Sequence, residues 1–172
     1  VTGKLLHHLG LKKKMRRYND HSSESDRLGL VAAARDGIVA LVSDAGTPTI
    51  SDPGFKLVRE CIKEGIKVES IPGPSAVTTA LVVSGLPTDK FLFLGYLPKK
   101  EGHRKKLLQD ITSIIHIIGV TVVIFESPHR LIKTLKELKE IFGDINIVIS
   151  RELTKIHEEI RRQKISEAIK HS

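Results

Sequence analysis

Two short turns rich in glycine and proline carry the residues best suited to chemistry. The first, at residues 44–48, combines the carboxylate of Asp44 with the backbone amides around Gly46, and the second, at residues 72–75, has a glycine between two prolines. Such turns accept a nucleotide phosphate, a dinucleotide, or the amino-acid and ribose parts of S-adenosylmethionine. The Walker and G-x-G-x-x-G patterns are absent, and Asp44 and Asp52 disfavour a phosphate. The pattern favours a cationic sulfonium ligand; the alternative is that the glycines only turn the chain.

Each turn follows a predicted buried strand and precedes a predicted helix. Residues 38–43 are a continuous apolar run of the kind found in strands that are covered on both faces, and residues 66–71 are predicted to form the next strand. Between them, Asp52 is a suitable N-cap and Pro53 a suitable first residue for a helix that ends at Gly65. Because open α/β sheets bind ligands beyond the carboxyl ends of their strands, the sequence predicts a cofactor site at these two turns.

The remaining pattern predicts two α/β domains, at residues 1–87 and 88–172, divided at a Gly-Leu-Pro segment. An uncapped helix at the first residue suggests that something upstream of it is missing from this chain. Further helices are predicted over 1–9, 24–35, 75–84, 107–118 and 128–142, with a short one at the end, and further strands over 91–97, 120–125, 145–149 and 151–162.

Composition limits the class of protein. The chain has 172 residues, of which 40% are hydrophobic, enough for one ordinary domain or two small ones. Neither a signal peptide nor a membrane-spanning segment is recognisable, so a cytoplasmic location is expected. The single cysteine, Cys61, lies on the apolar face of a predicted helix and excludes a disulfide framework or a cysteine metal cluster. No metal site is predicted.

Basic residues are clustered, and the formal net charge is +8. Each block alone is commonly a solvated loop, but several blocks on one short chain indicate a polyanionic partner. Only 4% of the residues are aromatic, which argues against base stacking. The residues predicted to contact phosphate groups of such a partner are Lys12, Lys13, Lys14, Arg16, Arg17, Lys99, Lys100, Arg104, Lys105, Arg130 and Arg151.

Seven ordered segments resemble the tetrapyrrole methylase superfamily and, within it, the bacterial 2′-O-ribose methyltransferases that modify a cytidine of 16S ribosomal RNA in the decoding centre. The glycine turns are shared by the superfamily, and the FESPHR segment is typical of the ribose methyltransferase branch. The segments are LVSDAGTP (41–48), SDPG (51–54), PGPSA (72–76), SGLPTDKF (84–91), GYLP (95–98), FESPHR (125–130) and RELTK (151–155).

This resemblance implies a two-domain enzyme with S-adenosylmethionine in the cleft between its domains, the RNA of the small ribosomal subunit as substrate, and a homodimer. Compared with the family pattern, an N-terminal strand and the C-terminal end of the second domain are expected to be missing from this chain. Carried over by motif, the cofactor-binding residues are Asp44, Ala45, Gly46, Pro74, Ser75 and Ala76. A ribose hydroxyl is a poor nucleophile, so a base is expected to assist its attack. The candidate bases are Asp44, His21, Glu126 and His129, and the sequence does not choose among them.

Other interpretations remain open at this stage. Glu126 and Arg130 lie four residues apart at a helix start and are alternatively a structural pair, and His21 is alternatively an ordinary loop histidine. A superfamily methylase acting on a tetrapyrrole or protein, and a non-catalytic RNA-binding fragment, are the competing functions. Steep salt dependence would favour RNA over the former, and cofactor binding would exclude the latter.

Overall fold

The structure, a computed structural model, describes residues 1–19 and 21–171. It is mixed α/β, as predicted, and divides into two compact units, Val1–Ser75 and Ala76–Ser172. The predicted domain boundary after residue 87 stays a prediction. In chain order the elements are α1 (Thr2–His8), α2 (Glu24–Asp36), α3 (Phe55–Lys63), α4 (Ala76–Ser84), β1 (Phe91–Tyr96), α5 (Glu101–Ile118), β2 (Thr121–Phe125), α6 (Pro128–Phe142), β3 (Asn146–Arg151), β4 (Glu159–Lys164) and α7 (Ile165–Lys170).

The first unit is built around helices α2 and α3. Helix α2 begins with a capping box: Ser23 Oγ accepts from the Asp26 amide at 3.1 Å, and the Asp26 carboxylate accepts from the Ser23 amide at 3.3 Å. Val31 of α2 packs with Leu57 and Cys61 of α3 to form the core. Burial raises the pKa of the Cys61 thiol, which fits the packing role expected for this residue.

The two strands predicted in the first unit are absent from the structure, because neither segment pairs with a neighbouring backbone. Residues 38–43 and 66–71 are irregular, and the described part of the first unit contains no strand. Leu41 and Ile66 pack against the core, but Ile38 is 103% exposed and Ile71 is 85% exposed. The pattern therefore identified two side chains that pack against the core, but most of both segments is exposed. A strand also needs a neighbouring backbone as a partner, which the pattern does not supply.

Helix α3 begins later than predicted. Its N-cap is Gly54, not Asp52, and its first residue is Phe55. Gly54 has φ 139°, a conformation that is outside the helical region and that residues with a side chain rarely adopt. The chain thus completes a turn through Pro53 before the helix starts.

The second unit holds both β pairs. Strands β1 and β2 are parallel and are joined by the 18-residue helix α5, with a register shift between Phe93 and Gly95. Strands β3 and β4 are antiparallel. The strand predicted over 151–162 is only partly right, since residues 152–158 form turns before β4 begins.

Two apolar clusters and one hydrogen bond to a backbone carbonyl hold the second unit together. The cluster of Leu97, Leu108 and Ile111 packs α5 against the β1–β2 pair, and a second cluster joins α6 to α7. Arg162 Nε of β4 donates to the carbonyl of Ser84 at 3.1 Å, which fixes the end of α4 within this unit. Among the described residues, no helix combines the length and the apolar character that a membrane span requires.

Asp144 ties the start of α7 to the preceding loop and should make stability depend on pH. It accepts from the Ser166 amide at 2.8 Å and from the Ser166 hydroxyl at 2.7 Å, and these hydrogen bonds lower the pKa of the Asp144 carboxyl. Their contribution is complete above the ordinary aspartate pKa of about 4 and is lost as the pH falls through the lower folded-state pKa. The urea midpoint of Asp144→Asn should therefore lie below that of the parent chain at pH 6, with the gap closing in acid.

Asp110→Asn is the matched control for this experiment. The Asp110 carboxylate lies 3.8 Å from the Lys106 ammonium, an exposed contact of small energetic value. The urea midpoint of Asp110→Asn should follow that of the parent chain at every pH. A gap for Asp144→Asn that widens in acid would contradict the assigned role of its hydrogen bonds.

Candidate functional site

The backbone of the first glycine turn is held by hydrogen bonds from a neighbouring side chain. Ser43 Oγ donates to the carbonyl of Ala45 at 3.0 Å and to that of Gly46 at 3.1 Å. Gly46 has φ 72°, and nothing lies within 4 Å of the place where a Cβ would stand. The side chain of Asp44 is 78% exposed, with Oδ1 3.8 Å from the Val1 amino nitrogen. The turn therefore presents a carboxylate next to backbone that a ligand can approach closely.

The two glycine turns lie together, as the sequence predicts. Thr47 Oγ1 of the first turn donates to the carbonyl of Pro74 in the second at 2.9 Å. Ser75 follows at the end of the first unit, and Ala76 is the first residue of α4 in the second. Although the predicted strands are absent, this hydrogen bond joins residues 27 positions apart in sequence and brings the predicted cofactor turns into contact.

Unusual backbone angles follow the first turn. Thr49 has φ 72° and Ser51 has φ 53°, both in the left-handed region. Such a conformation is rare for a residue with a side chain, most of all for β-branched threonine, and it concentrates at ligand sites. The run from the first turn to Gly54 is thus locally strained, which is consistent with a functional segment.

Glu126, a candidate base, forms hydrogen bonds that stabilise its own turn. Its Oε1 accepts from the Ser127 amide at 2.8 Å, and its Oε2 accepts from Thr134 Oγ1 at 2.7 Å. Arg130 Nη2 lies 3.4 Å from the same Oε2. Both carboxylate oxygens are therefore occupied, and the structural-pair interpretation of Glu126 and Arg130 is the one that the geometry supports.

The other candidate bases are exposed. His129 is exposed at the start of α6, and its imidazole makes no hydrogen bond within the described part of the chain. His21 is also exposed, and its amide donates to Asn19 Oδ1 at 2.9 Å, as expected of a loop residue. Asp44, His21 and His129 are thus the candidates whose side chains remain accessible.

Arg104 does not fit the predicted role of an RNA-contacting residue, because it is buried. Its guanidinium is 2% exposed and forms a bidentate pair with Glu137, itself 5% exposed, at 2.5 and 2.6 Å. Nη1 donates to the carbonyls of Pro98 and Lys99 at 3.0 Å each. Glu137 raises the pKa of Arg104 further. Glu137 was not identified from the sequence as a partner of Arg104. Its only indication in the sequence is its spacing from Arg130, which places both residues on the same face of α6.

The other predicted RNA contacts differ in accessibility. Lys105 is half-buried and lies 3.1 Å from Glu140, so its charge is already paired. Arg130 is also half-buried, and its Nη2 donates to the carbonyl of Leu97 at 3.0 Å. Arg151 is exposed but lies 2.5 Å from Glu159, and Arg16 donates to the carbonyl of Gly29. Of the predicted set, the residues that are exposed and form no ion pair with another described residue are Lys12, Lys13, Lys14, Arg16, Arg17, Lys99 and Lys100.

A small cavity of about 150 Å³ lies within the second unit, between α4, β2 and β3. Ser150 lines it, and the buried Oγ of Ser150 has no hydrogen-bond partner among the described residues. Ala76 of the predicted cofactor set lines the same cavity. Within the described residues, no group of three His, Cys, Asp or Glu side chains is placed to hold a metal ion.

Comparison with known proteins decides the family. The model of the tetrapyrrole (corrin/porphyrin) methylases matches residues 4–169. The chain belongs to this family. Among the relatives of this tetrapyrrole methylase are proteins named ribosomal RNA small subunit methyltransferase I. The one from Thermotoga maritima is 45% identical over 97% of this chain and 73% of its own length.

Other relatives with the same name are longer. The protein from Halalkalibacterium halodurans is 43% identical, and that from Escherichia coli O157:H7 is 39% identical, each over 98% of this chain. The tetrapyrrole methylase described here spans 57% and 58% of the lengths of these two proteins.

Proposed function

We propose that this chain carries out S-adenosylmethionine-dependent methylation of a ribose 2′-hydroxyl of a cytidine in 16S ribosomal RNA. The hydrogen bond from Thr47 to Pro74 carries the proposal, because it places side by side the two glycine turns at which the cofactor of this tetrapyrrole methylase would bind. Relatives named ribosomal RNA small subunit methyltransferase I support the RNA substrate.

The first turn fits the proposed cofactor. The open space at Gly46 allows close approach to the backbone, and the exposed Asp44 carboxylate is suited to a cationic ligand. Ala45, Pro74, Ser75 and Ala76 would complete the binding set. When bound, S-adenosylmethionine supplies an electrophilic methyl group whose transfer removes the positive charge from its sulfur.

The protein's task is mainly to align the reacting groups, since the transfer is intrinsically favourable. A base within hydrogen-bond reach of the 2′-hydroxyl would take its proton. Asp44, His21 and His129 have accessible side chains and are retained as candidates. Glu126 is assigned instead to holding Ser127, Arg130 and Thr134, because its oxygens accept from Ser127 and Thr134 and pair with Arg130.

The exposed basic residues support a polyanionic substrate. Lys12, Lys13 and Lys14 form one exposed block, and Lys99 and Lys100 form another. In the proposed enzyme both would attract RNA phosphates, with the small ribosomal subunit as partner. A cytoplasmic location follows from that substrate. A homodimer is also proposed, and the exposed apolar side chains of Ile38 and Ile71 are consistent with it.

Cofactor binding is the first test. Titration calorimetry with S-adenosylmethionine should show binding by the chain, and Asp44→Ala and Gly46→Ala should each weaken it about ten-fold or more. Gly65→Ala is the matched control: Gly65 has φ 70°, and nothing lies within 4 Å of its Cβ position. Both glycine variants should cost about 1–2 kcal/mol of stability, but only Gly46→Ala should weaken binding. A folded chain that binds no cofactor would contradict the proposal and favour an RNA-binding module.

The substrate is tested by methyl transfer to isolated small ribosomal subunits, with the modified nucleoside identified as a 2′-O-methylcytidine. Subunit binding should weaken steeply with salt, by about one power of concentration per phosphate contact. Methylation of a protein or a tetrapyrrole, with ribosomal RNA left unmodified, would favour the competing functions.

A further inference from the structure

The turn after β1 is held by two arginines that approach it from different helices. Arg104 of α5 donates Nη1 to the carbonyls of Pro98 and Lys99, at 3.0 Å each. Arg130 of α6 donates Nη2 to the carbonyl of Leu97 at 3.0 Å and lies 3.5 Å from that of Pro98. Three consecutive carbonyls of this turn, residues 97–99, therefore accept hydrogen bonds from two guanidinium groups.

Each arginine is in turn held by a buried carboxylate. Glu137 pairs with Arg104 through both of its oxygens. Glu126 lies 3.4 Å from Arg130 and is itself fixed by Thr134. Because replacing buried ion pairs with apolar residues is often neutral or stabilising, stability alone does not explain this network. Its distinctive effect is to fix the path of one turn.

The network leaves the outer side of the turn positive. Lys99 and Lys100 are exposed, and the chain has no cis peptide bond in its described residues. A trans peptide directs its N–H opposite to its carbonyl. With the Pro98 and Lys99 carbonyls turned toward the guanidinium of Arg104, the amides of Lys99 and Lys100 point away from it. Two ammonium groups and two amides thus lie on a turn whose backbone is already ordered.

We infer that Arg104 and Arg130 are positioning residues that hold Lys99 and Lys100 for contact with phosphate groups of the RNA substrate. The inference rests on the proposed function, since it names part of the surface that would receive the RNA. Ordering the turn before binding removes a conformational cost that a flexible loop would have to meet during association. Arg130, predicted from sequence to contact RNA directly, acts through the lysines in this account.

The test is a double-mutant cycle that joins Arg130→Gln with the pair Lys99→Gln and Lys100→Gln. The probe is a labelled fragment of 16S ribosomal RNA from the decoding region, titrated by fluorescence anisotropy at several salt concentrations. Arg130→Gln should weaken RNA binding five- to ten-fold when both lysines are present, and less than two-fold when both are glutamine. Removing the lysines should flatten the salt slope by roughly 1.5.

Two further measurements keep the result interpretable. Arg130→Lys retains the positive charge but not the planar guanidinium with its forked donors, so it should lose most of the RNA affinity that Arg130→Gln loses. The unfolding midpoint of each variant shows whether it is folded. Equal losses from Arg130→Gln in both lysine backgrounds, or no loss in a folded variant, would overturn the inference. Binding of S-adenosylmethionine and methyl transfer by the parent chain are measured separately, so failure of the proposed function is distinguished from failure of the positioning role.

Discussion

Glu137→Ala is expected to lower the free energy of unfolding by about 3–5 kcal/mol. The substitution leaves the guanidinium of Arg104, which is 2% exposed, without its carboxylate partner inside the second unit. An unpaired buried charge either stays desolvated at high cost or forces the surrounding helices apart to admit water. Urea unfolding followed by circular dichroism measures the difference, with the slope used to check that both proteins unfold in one step.

The matched control is Glu140→Ala, one turn further along α6. Glu140 lies 3.1 Å from Lys105, but its side chain is 64% exposed, so its loss should cost less than about 1 kcal/mol. The double variant Arg104→Met with Glu137→Leu should recover part of the loss seen in Glu137→Ala, because no unpaired charge remains buried. Similar losses from Glu137→Ala and Glu140→Ala would contradict the burial-based argument.

Local sequence signals were sufficient for most of the second unit. Helix α6 begins at Pro128 and ends before Gly143, as predicted, because proline at the first helical position and glycine after the last are strong short-range signals. Strands β1 and β2 were also predicted, since helix α5 links two apolar runs in the manner of a parallel crossover. In each case the information lies within the segment itself.

Features that depend on distant partners were not predictable in the same way. The runs at 38–43 and 66–71 have strand composition, yet pairing with another backbone decides whether a strand forms, and the described residues provide none. Likewise, Arg104 lies within a basic block, so its charge suggested an RNA contact. Its partner Glu137 is 33 positions away, and only the packing of α5 on α6 shows that the two charges cancel.

The candidate site was predictable to the extent that it depends on motifs. The two glycine turns were expected to be neighbours, and the hydrogen bond from Thr47 to Pro74 confirms it. The choice of base was open from sequence, because Glu126 and His129 are equally plausible by residue type. Their different surroundings, an occupied carboxylate and an exposed imidazole, depend on the fold of the helix start.

Gly54→Ala is the second substitution with a large expected effect, a loss of about 2–5 kcal/mol in the free energy of unfolding. Gly54 has φ 139°, which strains any residue with a side chain. A Cβ at this position would also lie 2.6 Å from Leu41 Cδ2 and 2.9 Å from Thr49 Cγ2. Leu41 packs against the core of the first unit, so it cannot move aside without disturbing that core.

Gly65→Ala is the control, because Gly65 has φ 70° in the left-handed region and its Cβ would meet nothing within 4 Å. Backbone strain alone should cost about 1–2 kcal/mol there, and the excess at Gly54 combines the greater strain at φ 139° with the steric contact with Leu41 and Thr49. Thermal and urea unfolding of both variants provide the comparison, and equal losses would contradict the expected excess at Gly54. Because Thr49 follows the first glycine turn, a displaced contact should also weaken S-adenosylmethionine binding in Gly54→Ala, whereas Gly65→Ala should bind it as the parent chain does.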